Sequence, residues 1–216
     1  MIQFSPTNIG TLKLLCLGAH SDDIEIGCGG TILKWIRESK TGVQVFWVVF
    51  SASQDRAEEA RKCADLFLKG ASKKTVQVKK FRDGFFPYQG VEIKETFEQI
   101  KNEFSPDIIF THCRDDRHQD HRLLSDLTWN TYRDHMILEY EIPKYDGDLG
   151  KPNCFVHLDE SLCHKKADFI NECFLSQNQK QWFSEDTLFS LLRLRGIESA
   201  ASGKYAEAFH CRKMVI

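Results

Sequence analysis

Four short strand-like runs, each followed by a polar turn and then by residues at helical spacing, constrain this chain most. Residues 12–18 end at a glycine and read as a buried strand. Residues 43–50 form a second such run, 76 to about 81 a short third, and 107–111 a fourth. Helical spacing follows in 31–36, 55–68 and 91–104, the last stopped by Ser105-Pro106. Further on, 123–132 continues a helix, 137–142 and 155–158 read as strands, and 161–175 and 184–194 read as helices. The stretch 143–152 is a polar, glycine-containing loop. This alternation predicts a single-domain α/β fold of Rossmann-like type, with a mainly parallel sheet and helices on both faces. A chain of 216 residues, without internal repeat or linker, is expected to form one domain over 1–216 with a substantial core.

Composition narrows the partners. A net charge of -2 implies no polyanion, so no nucleic acid is expected. No apolar stretch approaches the roughly 20 residues of a membrane span. The segment Met1 to Pro6 lacks a basic stretch followed by an apolar core, so no signal peptide is expected. The eight cysteines include no Cys-x-x-Cys. Cys16, Cys28, Cys63 and Cys173 lie in apolar-periodic segments, where a free thiol packs as a small hydrophobe. A reducing cytoplasm is the simplest setting. Self-association as a homo-oligomer is compatible with the sequence.

The polar residues concentrate at two strand ends. Ala19-His20-Ser21-Asp22-Asp23 follows the first strand, with Gly27-Cys28-Gly29-Gly30 just behind it and the helical spacing beginning at Thr31. His112 to His121 follows the fourth strand and includes His118-Gln119-Asp120-His121 at a helix start. Two histidines three apart on a helix can face one point. Ligands bind open parallel sheets beyond the carboxyl ends of the strands, where strand order reverses. If the first and fourth strands are neighbours, the two clusters meet there. Two histidines and a carboxylate with positions left open form a catalytic zinc arrangement. His20 or His121 alone would be a core histidine; together, at two strand ends beside two aspartates, they point to a site. Either Asp22 or Asp23 can supply the carboxylate, and spacing does not choose between them.

Ala19-His20-Ser21-Asp22-Asp23 with Gly29-Gly30, and His118-Gln119-Asp120-His121, resemble the two signatures of the PIG-L/LmbE-like zinc-dependent N-acetyl sugar deacetylases. Ser21 stands where the family usually has proline, a change to turn rigidity rather than to the ligands. The resemblance implies His20, Asp23 and His121 as metal ligands and Asp22 as general base. His118 then serves the oxyanion and the leaving amine, and Asp120 supports it by accepting its other N–H. Zn2+ is the implied metal, and Fe2+ or another divalent ion suits the same donors. The family has an arginine that can contact substrate where this chain has Arg56. It has an aspartate that bonds sugar hydroxyls where this chain has Asp83. Tyr205-Ala206-Glu207-Ala208-Phe209 is similar to a C-terminal stretch of the family and takes no catalytic role.

Other polar residues have plainer readings. Glu58, Glu59 and Arg61 read as a solvated helix face. Phe85, Phe86 and Tyr88 pack as loop aromatics or offer a platform to a sugar face. His112, His157, His164 and His210 lack polar company and read as structural; Asp115 and Asp116 hold their loop. The expected activity is metal-dependent removal of the N-acetyl group from an amino sugar: a glycoside, a nucleotide sugar or a glycan intermediate. Hydrolysis of another acyl amide or ester is the alternative. A non-enzymatic nucleotide-binding module is disfavoured, because the glycine run lacks the Gly-x-Gly-x-x-Gly spacing.

Overall fold

Seven strands lie in one sheet, its central members being the buried apolar runs Leu12–Gly18, Val43–Val49 and Ile108–His112. The computed structural model describes residues 5, 6 and 10–215. In chain order the elements are β1 (Leu12–Gly18), α1 (Asp23–Glu38), β2 (Val43–Val49), α2 (Gln54–Phe67) and β3 (Lys73–Val78). Then come α3 (Gly90–Glu103), β4 (Ile108–His112), α4 (Gln119–Thr131), β5 (Met136–Tyr140) and β6 (Cys154–Leu158). The last are α5 (Glu160–Cys173), α6 (Glu185–Glu198) and β7 (Tyr205–Cys211). Single 3-10 turns lie at Phe86–Tyr88 and Leu175–Gln177. The sheet order is β3-β2-β1-β4-β5-β7-β6. The first five strands are parallel, and β7 runs antiparallel to both β5 and β6.

β1 is buried along nearly its whole length, as a central strand covered on both faces must be. Its side chains alternate between two cores. Leu14 and Cys16 join Trp47, Phe110 and Phe209 under α1, α2, α5 and α6. Leu15 and Leu17 join Phe46, Val48, Phe97 and Ile109 under α3 and α4. All eight cysteines are free thiols. Among the described residues no helix is long and apolar enough to cross a membrane.

The structure corrects the reading at three places. The glycine run does not precede the first helix; it lies inside α1, which begins at Asp23. A Cβ at Gly27 would stand 2.2 Å from the Tyr140 ring, and one at Gly30 2.6 Å from Leu158 and 2.9 Å from Glu207. These glycines serve close approach of other elements to the helix. β7 forms where no strand was expected, and it carries a buried Glu207. Glu207 accepts the Gly30 and Thr31 N–H groups at 2.8 and 2.6 Å, and Lys166 of α5 donates to the Ile26 carbonyl at 2.6 Å. Ile26 and Gly30 are partners on one rung of an α-helical ladder. A buried ion pair, Lys166 to Glu207 at 2.6 Å, is thus set against the middle of α1. Third, β3 starts at Lys73 and stops at Val78, so 79–85 is loop.

Candidate active site

β1 and β4 are neighbours, so their carboxyl ends open onto the same crevice. The Ala19 N–H at the end of β1 donates to His112 Nε2 at the end of β4, at 3.0 Å, and ties the two ends together. The chain turns through His20 and Ser21, and Asp22 holds the N-cap position of α1 without a capping bond from its side chain. Asp23 and Glu25 fill the first turn of α1, where the helix dipole favours negative charge.

The two aspartates leave this turn in different directions. Asp23 Oδ2 accepts the His20 N–H at 2.6 Å. The same oxygen lies 3.2 Å from His112 Nε2, 3.4 Å from His20 Nδ1 and 3.6 Å from His121 Nε2. Asp22 instead pairs with Arg56 of α2 at 2.9 Å. Burial raises both carboxyls, but His121 and His112 hold Asp23 well below its ordinary range. Asp22, with Arg56 opposing burial and Asp23 reinforcing it, ends above its ordinary range. One carboxyl gives up its proton more readily than usual and the other is a stronger base. Such a split between adjacent groups separates a ligand from a proton acceptor.

α4 brings the second cluster. His121 Nε2 lies 3.1 Å from His20 Nδ1, and its Nδ1 meets Asp116 Oδ2 at 2.9 Å. Burial, with His112 beside it, lowers His121 to about 4, so the ring is neutral at pH 7 and offers Nε2 as a lone pair. Asp116 also takes the His118 N–H at 2.8 Å. His118 stands edge-on to His20 with ring centroids 4.9 Å apart. The expected bond from His118 to the Asp120 carboxylate does not form. Asp120 spends its oxygens on the loop after β3, accepting the Gly84 and Phe86 N–H groups at 2.7 and 3.1 Å, and lies 3.4 Å from His20 Nε2. The link to His118 runs the other way: the Asp120 N–H donates to His118 Nδ1 at 3.3 Å. With Nδ1 accepting, the neutral ring carries its proton on Nε2.

Asp83 reaches the site from the same loop, its Oδ1 3.1 Å from His20 Nε2 while its side chain stays 68% exposed. Of the three aromatics on this segment, Phe86 is fully buried 6.1 Å from the His20 ring, whereas Phe85 and Tyr88 are exposed. Phe86 therefore forms a wall, the Phe85 ring is covered on one face by the Arg82 guanidinium at 3.6 Å, and Tyr88 is the most exposed of the three.

The described residues hold three groups of donors within 4.8 Å of one another: His20, His118 and His121; Asp23, His112 and His121; and His20, Asp83 and Asp120. His20 and His121 each belong to two of these groups, and with Asp23 they have mutual donor separations of 3.1, 3.4 and 3.6 Å. Separations of that size suit three ligands around one ion with bonds of about 2.0–2.2 Å. His112 is close enough to compete, but its Nε2 lone pair is taken by the Ala19 N–H. Charge supports a cation as well. Three carboxylates, Asp23, Asp83 and Asp120, meet the single ring of His20 at 3.1–3.4 Å. Burial would lower that ring, yet hydrogen bonding to Asp120 and Asp23 carries it well above the usual histidine range. The residues present therefore fit a divalent ion.

Sequence reasoning passed over two members of this site. His112, set aside as structural, stacks on His121 with ring centroids 3.8 Å apart and touches Asp23. Asp116, read as a loop holder, fixes the ring orientation and tautomer of His121. The signal available was the Asp116-x-His118-x-x-His121 spacing. Glu25 is fully buried, with neither carboxylate oxygen hydrogen-bonded.

Comparison with known proteins follows these contours. The family model described as PIG-L, GlcNAc-PI de-N-acetylase, matches residues 15–132, which contain every site residue named above. The uncharacterized deacetylase YaiS of Escherichia coli K12 is 29% identical over 143 residues, covering 60% of this chain and 74% of that protein. The N,N'-diacetylchitobiose deacetylase of Pyrococcus horikoshii superposes with a TM-score of 0.69 at 22% identity, over 95% of this chain and 85% of that one. GalB, the 4-carboxy-2-hydroxymuconate hydratase of Pseudomonas putida KT2440, superposes with a TM-score of 0.71 at 16% identity, over 95% and 98%. At such identities the superpositions establish a shared fold, which here houses two different reactions.

Proposed function

We propose, on the premise that this chain belongs to the PIG-L family of GlcNAc-PI de-N-acetylases, that it is a metal-dependent hydrolase, built as a single catalytic domain. It removes the acetyl group from an N-acetylated amino sugar, releasing acetate and the free amine. The observation that carries this reading is the divergence of Asp22 and Asp23, one toward Arg56 and the other into the histidine cluster. His20, Asp23 and His121 would hold the ion, Zn2+ first and Fe2+ as the other fit to these donors. Such an ion supplies Lewis acidity toward a carbonyl and toward water.

The chain's own residues do the rest. Asp22 accepts the proton of the attacking water, a role its raised affinity for protons suits. Arg56 orients that carboxylate and extends toward the mouth, where it can meet the substrate. His118 presents its Nε2–H to the oxygen that gains charge as the carbonyl carbon becomes tetrahedral. The proton taken from water passes to the departing nitrogen as the C–N bond breaks, so a neutral amine leaves with acetic acid, which gives its remaining proton to solvent or to the amine and departs as acetate. Asp120 fixes the loop after β3 and, through its own N–H, the tautomer of His118. Asp83, anchored at one oxygen and exposed, is placed to accept sugar hydroxyls.

The test is a panel of N-acetylglucosamine, its glycosides and nucleotide-linked forms, each assayed for acetate and free amine together. Equal amounts of both products, lost on chelation and restored by Zn2+ or Fe2+, are expected. Turnover of acyl esters or other amides with no N-acetyl sugar accepted would replace this reading with the broader hydrolase one.

A further inference from the structure

We propose that Lys144, on the loop between β5 and β6, is a positioning residue for the metal ligand His121 and acts on it through Asp116. The inference rests on the metal site proposed above and extends it to a residue outside the segment that the family model matches. Lys144 Nζ lies 3.0 Å from Asp116 Oδ2, the same oxygen that meets His121 Nδ1 at 2.9 Å. On its other side Nζ contacts both oxygens of Asp148, at 2.7 and 2.5 Å. Asp148 in turn accepts the Arg117 N–H at 2.7 Å, one residue before His118. All three side chains are withdrawn from solvent: Lys144 is 10% exposed, Asp148 7% and Asp116 3%. Gly147 takes the positive φ, 62°, that lets the chain double back between Lys144 and Asp148. The far end of the loop is pinned separately, the Gly150 N–H to Glu141 and the Gly150 carbonyl to Arg195.

Two effects of Lys144 on the site oppose each other. Its charge draws electron density from the Asp116–His121 pair, which weakens the imidazole as a ligand. It also sits between Asp116 and Asp148, whose carboxylates would otherwise face each other across a buried gap. The second effect dominates, because without the ammonium the repulsion turns Asp116 away and frees the His121 ring to rotate. Partners one step behind a ligand typically set metal affinity by 10–100-fold.

The experiment uses the full chain stripped of metal, with Zn2+ affinity read by competition against a chromophoric chelator. Lys144→Met should weaken Zn2+ by roughly 10–100-fold. Lys144→Arg, which keeps the charge, should stay within a few-fold of wild type. Lys62→Met, which breaks an exposed pair with Glu172 on the far helices, should change nothing. By reciprocity, Zn2+ should slow amide exchange across 144–148 in the wild type and not in Lys144→Met. Equal or tighter Zn2+ binding by Lys144→Met overturns the proposal. If that variant does not fold, Lys144→Gln is read in the same assay against the same criterion. A wild-type chain that binds no Zn2+ brings down the metal site itself, an outcome distinct from equal binding by all variants.

Discussion

Changing Asp23 to Asn removes a charge from an oxygen within 3.6 Å of three imidazoles, while the same change at Asp22 acts on a carboxylate held by Arg56. Asp23→Asn should therefore lose most bound metal. Asp22→Asn should keep the metal and lose turnover by about a hundredfold or more, the usual contribution of a general base. Metal content and turnover on the same preparations decide this; a metal-free Asp22→Asn beside a loaded Asp23→Asn would exchange the roles. Asp116 supplies a pH prediction. Burial alone would raise its carboxyl, yet His121 and Lys144 hold it well below the ordinary range. Its contribution to stability is present above the unfolded-state value of about 3.9 and is lost as pH falls toward the folded one. The metal-free wild type should exceed Asp116→Asn by roughly 1.5–3 kcal/mol at neutral pH, with the gap closing below about pH 4 in urea titrations. A gap independent of pH would mean that Asp116 acts by packing. His20, Asp22, Asp23, His118 and His121 were legible because two compact motifs follow two readable strands. Asp116 and His112 were not, because their roles arise from which atom each ring or carboxylate presents to its neighbour, and spacing does not encode that.

At the scale of elements, α1 depends on two distant ones. Its middle rung meets Lys166 of α5 and Glu207 of β7, both 2–3% exposed. Removing one partner leaves the other charge buried and uncompensated, which costs about 3–5 kcal/mol. Glu207→Gln and Lys166→Met should each show that loss in urea unfolding, and the double variant Lys166→Met/Glu207→Leu should lose less than either. Additive losses would mean the two side chains act independently. β1, β2, β4 and β5 were readable from their mostly apolar runs, whereas β3, with lysines at its start, was read three residues late. β7 was not, since Ala206, Glu207 and Ala208 look like a surface segment until a lysine and two helix N–H groups are brought to the glutamate. The glycine run misled for a related reason: in sequence it looks like a turn, and the close approach of Tyr140 to Gly27, Phe67 to Gly29 and Leu158 to Gly30 accounts for it within a helix.

For the whole molecule, the site joins α1 to α4 and to the loop after β3, so metal should stabilise the folded chain globally. At a hundredfold excess over Kd the gain is about 2.7 kcal/mol. For a chain of this size that raises the melting temperature by roughly 5–10 °C. Thermal melts with Zn2+ and with chelator should differ by that amount in the wild type and coincide in His121→Ala. An undiminished shift in that variant would place the ion elsewhere.

The Lys166–Glu207 pair set against the middle of α1 has a consequence for biosynthesis. The last of the proposed ligands, His121, leaves the ribosome long before Glu207 does, and at about 5–20 residues per second several seconds separate them. During that interval the nascent chain carries every ligand while α1 still lacks the glutamate that receives its Gly30 and Thr31 N–H groups. Loading of the proposed metal should therefore belong to the finished chain. A protein truncated after the family-matching segment would carry the proposed ligands without the glutamate that receives the Gly30 and Thr31 N–H groups.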